Sequence, residues 1–242
     1  MASMTSILAI NWGVDLVTAI MQSDVIGMLC LLILAGLSIH SGYCMFAKYW
    51  EVRHAKKESE LFVEDCLEGH KSLPEIYKAA RNYPNSPLAA LLREAYVEYE
   101  TDIRDTSPRE MSLEHRVQLS KTSVESALER TIAAEMRKME NNLVTLATAS
   151  TIAPFIGLFG TVWGVLGAFQ ALGREGNANL ETLAPGIATA LTTTIFGLIV
   201  AIPATIMYNH LAGTIAHLSS QMDSFAHELS NVFQKHLLRR GK

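Results

Sequence analysis

Three stretches of the chain are apolar almost without interruption. Elsewhere apolar residues recur at helical spacing on a charged background. Val25 to Ala47, rich in Leu and Ile, lies between Asp24 and Lys48. Asn141 to Gly173 holds no Asp, Glu, Lys or Arg, and neither does Thr182 to Met222. Each exceeds the roughly 20 residues that a helix needs to cross a hydrocarbon core. The pattern predicts an all-α membrane protein with three transmembrane helices, at 25–47, 146–172 and 185–209, and no strand pattern occurs.

Between the first and second spans lies a segment, 48–145, that reads as a helical domain. Lys48 to Gly69 is a charged helix with sparse apolar positions (Val52, Leu61, Phe62, Leu67), ended at Gly69. Pro74 opens a short helix, Tyr83-Pro-Asn-Ser-Pro is a turn, Leu88 to Glu100 resumes as helix, and Thr106-Ser-Pro is a break. From Ser112, Leu113, Val117, Val124, Leu128, Ile132, Met136, Met139 and Leu143 mark one face of a long helix. No Gly or Pro separates it from the second span, so Ser112 to about Leu172 reads as one helix, kinked at Pro154 and long enough to project tens of Å from the membrane. The third span is expected to start near Pro185, a first-turn residue, and to continue into a C-terminal helix, 210–242. There Leu211, Ile215, Leu218, Met222, Phe225, Leu229 and Val232 form a heptad seam.

Charge orients this layout. The net charge of −4 decides nothing by itself, but 15 of the 20 Lys and Arg residues fall between Lys48 and Thr145. The tail adds Lys235, Arg239, Arg240 and Lys242, whereas the loop 173–184 holds only Arg174 and the first 24 residues hold none. By the excess of basic residues on one side, the middle domain and the tail are cytoplasmic. The N-terminal segment 1–24 and the loop 173–184 are outside. Ser6 to Gln22, with Trp12 near its middle, has one apolar face and suits the outer interface as an amphipathic helix; a frayed terminus fits it equally. No secretory signal peptide is expected, because the terminus lacks a basic region. Cys30, Cys44 and Cys66 are odd in number and lack metal-ligand spacing, so they read as packing residues.

The second and third spans are small and hydroxylated rather than Leu-rich. Gly157, Gly160 and Gly164, with Gly167, recur at steps of three and four, which lets helices approach closely in lipid. Pro154, Pro185 and Pro203 punctuate the same helices. Most of the threonines, Thr148, Thr151 and Thr205 among them, are expected to bond back to carbonyls of their own helix. Thr192, Thr193 and Thr194 are separated by ~100° each around a helix, so they cannot share one neighbour. Thr189 and Thr193 share a face, and with Thr161 opposite they form a hydroxyl-lined surface. No acid lies within any span, and His40 near Ser41 and Tyr43 reads as a hydrogen-bonded helix residue. A proton-moving membrane protein needs a titratable group at depth, so a carboxylate would have to come from another chain. Phosphate-binding loops, His-Glu-x-x-His and Gly-x-Ser-x-Gly are all missing; neither an enzyme nor a nucleic-acid partner is expected.

Ala153-Pro-Phe-Ile-Gly-Leu-Phe-Gly-Thr-Val-Trp-Gly-Val-Leu-Gly-Ala-Phe, with Ala184-Pro-Gly-Ile-Ala and Gly197-Leu-Ile-Val-Ala-Ile-Pro-Ala, resembles the MotA/TolQ/ExbB proton-channel family, TolQ/ExbB branch. Similarity is strong over about residues 120 to 210, with a weaker echo at Ser86-Pro-Leu-Ala. The resemblance implies a homopentamer in the inner membrane of a Gram-negative bacterium. Its second and third spans would enclose a single-span partner of TolR or ExbD type that supplies the proton-binding Asp. Protons would be the coupling ion, with no cofactor, and the flow would energise an outer-membrane process. The family's pore threonines match Thr161 and Thr194. One position departs: many relatives have Glu in Gly-Ile-Ala-Glu-Ala-Leu, where this chain has Thr189. A structural scaffold without conduction, and a stator for gliding or another machine, are the alternatives.

Overall fold

The computed structural model describes residues 24–67, 72–105, 113–175 and 180–240. Every regular element among them is helical: α1 (Val25–Leu67), α2 (Leu73–Ala79), a 3-10 turn (Ala80–Asn82), α3 (Pro87–Asp105), α4 (Leu113–Glu140), α5 (Leu143–Glu175) and α6 (Leu180–Arg240). α1, α5 and α6 are each long and apolar enough to cross a membrane. The expected features at Ser6–Gln22, Gly69 and Thr106-Ser-Pro lie outside the described residues.

The chain divides into two compact units, one of residues 1–46 and 144–209, the other of 47–143 and 210–242. In the first, parts of α1, α5 and α6 close on a core of Leu34, Ala153, Val200 and Ala201, with Leu37, Ile156 and Phe196 packed against it. Large side chains face outward, among them Phe155, Phe159, Phe169, Ile195 and Ile202. Small side chains inside and bulky ones outside is the arrangement of helices that gain by mutual contact rather than by fleeing water.

The second unit buries a conventional hydrophobic face. Along α1, Val52, Ala55, Ser59 and Phe62 are buried at helical spacing, while Leu61 is exposed. Phe62 meets Tyr83 and Phe225 edge-on. Ser86 precedes α3; its hydroxyl accepts from Ala89 N at 3.1 Å and pairs with Ser59 Oγ at 3.0 Å. Asn85 is held by the Glu58 carboxylate through backbone and side chain, at 2.7 and 2.6 Å. α3 inserts Leu88, Leu91, Leu92 and Tyr99, and the Tyr99 hydroxyl bonds His236 Nδ1 on α6.

Four details depart from the sequence reading. The first span and the charged segment after it form one continuous helix, α1, because nothing between Val25 and Leu67 interrupts the backbone ladder. The helix expected from Ser112 to Leu172 is broken at Asn141–Asn142, where Asn142 adopts φ 68° and α5 starts afresh at Leu143. Asn tolerates this left-handed conformation better than other non-glycine residues. Beside the break, Lys48 is 2 % exposed and donates to the Lys138 carbonyl at 2.9 Å and to Glu51 Oε2 at 3.0 Å. It thereby satisfies one of the carbonyls that the end of α4 leaves without a partner. α6 begins at Leu180, so Pro185 lies inside it rather than opening it. The seam of α6 ends on Ala226, Leu229 and Phe233, leaving Val232 45 % exposed. From Leu211 to Phe233 the buried positions average about 3.7 residues apart, longer than the roughly 3.5-residue period that a left-handed supercoil requires.

Candidate functional site

α5 and α6 meet through glycines. A Cβ added at Gly157 would lie 2.8 Å from the Thr193 carbonyl oxygen, and one at Gly197 would lie 2.7 Å from the Ala153 carbonyl oxygen. At Gly160 it would meet Thr193 Oγ1 at 2.7 Å, and at Gly164 the Ala190 Cβ at 2.7 Å. Gly167 has nothing within 4 Å and takes no part in this contact. Gly186 and Gly197, which the sequence pattern did not single out, complete it from the α6 side. Pro154 and Pro203 are carried inside α5 and α6, where each removes a backbone donor.

That approach brings together three of the four expected threonines. Thr161 Oγ1 lies 3.0 Å from the Ala190 carbonyl across the helix pair, 3.1 Å from the Gly157 carbonyl and 3.2 Å from Thr193 Oγ1, and it bonds Thr194 Oγ1 directly. Thr193 Oγ1 donates to Gly157 O at 3.0 Å or Ala190 O at 2.8 Å, and Thr194 Oγ1 to Gly157 O at 3.3 Å. Three hydroxyl protons thus share two carbonyls and one another's oxygens, so the group can rearrange its bonds without breaking contact between the helices. Thr192 turns back to Ala188 O. Thr148, Thr151 and Thr205 bond one turn back along their own helices, as a threonine in an apolar helix usually does.

Thr189 stands apart. It takes no part in the hydrogen bonds among the described residues and lines a cleft of about 370 Å³ with Gly160, Gly164, Pro185, Gly186 and Thr193. Asp24 lines the same cleft. Its two carboxylate oxygens accept from Trp163 Nε1 at 2.6 Å and from Gly27 N at 2.8 Å. Sequence reasoning passed over Asp24 because it flanks the first apolar run rather than lying within it. Its indole partner is 139 positions along the chain, a pairing that no local pattern displays. His40 sits beside Cys44, Nε2 to Sγ 4.0 Å, on the first span.

The site is a hydroxyl-bonded, glycine-mediated helix contact beside a small cleft lined mostly by glycine, alanine and proline, with the hydroxyls of Thr189 and Thr193 and, among the described residues, the one carboxylate of Asp24. The sequence model of the MotA/TolQ/ExbB proton channel family matches residues 98–224, which include the contact. The Tol-Pal system protein TolQ of Pseudomonas aeruginosa is 31% identical over 218 residues, 89% of this chain and 91% of the relative. The biopolymer transport protein ExbB of Pseudomonas putida is 40% identical over 121 residues, 50% of this chain and 37% of the relative. The Tol-Pal system protein TolQ of Haemophilus influenzae is 41% identical over 101 residues, 42% of this chain and 44% of the relative. The chain thus spans nearly all of one relative and less than half the length of the other two.

Proposed function

The chain belongs to the MotA/TolQ/ExbB proton channel family, and we propose that it is the inner-membrane stator subunit of a proton-driven motor of TolQ or ExbB type. In this reading five copies surround a TolR/ExbD-type partner whose single span brings an Asp. Proton flow past that Asp drives mechanical work on an outer-membrane process. The N-terminus and the loop between α5 and α6 face outward, and the charged middle segment and the tail face the cytoplasm.

The observation that carries the reading is the hydroxyl group of Thr161, Thr193 and Thr194 on α5 and α6, within stretches that hold no charged residue. Hydroxyls exchange hydrogen bonds without the desolvation cost of a buried charge, so this wall can border a moving proton and leave the titrating group to the partner. Thr161, Thr194, Thr189 and Thr193 are assigned to the path. Gly157, Gly160 and Gly164, with Pro154, Pro185 and Pro203, are assigned to the shape of the helices that hold it.

The internal saturation of that hydroxyl group also favours a second reading, in which the threonines only latch α5 to α6 and the complex is a scaffold. Proton flux into liposomes containing the chain and its single-span partner separates the two. We expect flux from the intact complex, and Thr161→Ala and Thr194→Ala to reduce it while the complex still assembles. An assembled complex that passes no protons, or two variants that conduct like the parent, would overturn the stator reading.

A further inference from the structure

The chain brings a carboxylate of its own to the hydroxyl wall, although none lies within its three apolar runs. Asp24 borders the cleft that Thr189 and Thr193 line, and it is the only ionisable side chain among the described residues that line it. Thr189 leaves that part of α6 without an acid. Asp24, the residue before α1, brings one to the same cleft. It is held there by two contacts of unlike kind, the indole N–H of Trp163 on α5 and the backbone N–H of Gly27 on α1. A carboxylate has about four acceptor sites. Those two bonds occupy half of them and leave the others for water in a cleft of about 370 Å³, which is roomy enough for several water molecules.

We infer that Asp24 is a proton-binding site of this chain, the group through which protons enter the cleft beside Thr189 on their way to the partner's acid. A hydronium gives its proton to a free Oδ lone pair and leaves as water. The O–H bond so formed then breaks as the proton passes to a water molecule in the cleft, and the carboxylate is restored. No other co-reactant is needed. The inference rests on the stator reading above and adds to it an acid that this chain supplies.

The test uses the full chain assembled with its single-span partner, reconstituted in liposomes carrying an internal pH-sensitive dye. Asp24→Asn and Asp24→Ser each keep a side-chain oxygen that can cap α1 but cannot ionise, whereas Asp24→Glu keeps the charge. With assembly unchanged, the Asn and Ser variants should lose about a hundredfold or more of the flux, the scale at which a positioned proton-transfer group acts, and the Glu variant should regain most of it. Flux in Asp24→Asn equal to that of the parent would refute the assignment and leave the stator reading standing. Two further results would refute it in the same way: a Glu variant no better than Asn, or Asn and Ser variants that fail to assemble, which would make the role of Asp24 structural. If the unaltered, assembled complex passes no protons, both the stator reading and the assignment of Asp24 fall together.

Discussion

At Gly157 the atoms that a methyl group would strike are the carbonyl oxygen of Thr193, at 2.8 Å, and the Cα of Thr194, at 3.0 Å. Backbone atoms cannot rotate away as a side chain can. Gly157→Ala must therefore push α5 from α6, loosening the hydroxyl bonds that Thr161 makes across the gap. Such overpacking costs about 1–3 kcal/mol. At Gly167 there is nothing to strike, and alanine there should stabilise the helix by up to about 1 kcal/mol. Thermal unfolding of the purified protein in detergent should show a lower Tm for Gly157→Ala and an equal or higher one for Gly167→Ala. Equal losses in the two would mean that the close contact contributes nothing. The step pattern of glycines in the sequence named the helix face, but not where the partner backbone comes near. That depends on where α6 lies, so Gly167 looked equivalent to its neighbours.

Among the helices, the informative feature is the break between α4 and α5. Asn142 at φ 68° occupies a region that costs other L-residues roughly 1–2 kcal/mol. Asn142→Gly should leave stability unchanged or raise it, and Asn142→Val should lower it by about that amount, measured again as the shift in Tm. A valine variant as stable as the parent would mean that the break is not obligatory. Lys48 supports the same junction through its bond to the Lys138 carbonyl. Replacement by Met keeps the stem's packing but orphans that carbonyl, at a cost of about 1–3 kcal/mol, provided that Glu51 stays solvated. The break escaped the sequence because apolar positions continue in register on both sides of it, from Met139 to Leu143, and no Gly or Pro marks it. The pairing of Lys48 with a carbonyl 90 positions away is a tertiary contact that no local window contains. By contrast, the buried faces of α4 and of α6 as far as Met222 were legible, because burial on one face repeats with the helix period.

Over the whole molecule, the distribution of charge sets the proposed orientation, and chemical labelling checks it. Cys30 and Cys44 are buried; with Cys66 replaced by Ser, a new cysteine reports its own side of the membrane. A membrane-impermeant maleimide should label Arg174→Cys in cells with a permeabilised outer membrane. It should reach Lys235→Cys only after the inner membrane is opened, and the reverse pattern would invert the proposed topology. The sequence by itself determined the class: three apolar runs, an excess of basic residues on one side, and glycine and threonine where leucine would be ordinary. These are properties of composition and period, set locally by what a helix must show to lipid, to water or to another helix. Only the tertiary structure decided which hydroxyls bond one another and which glycines touch backbone. It also showed that Asp24, outside every apolar run, borders the cleft beside Thr189. Those facts depend on the separation and rotation of helices far apart in the chain, which ångström-scale packing fixes and no periodicity encodes.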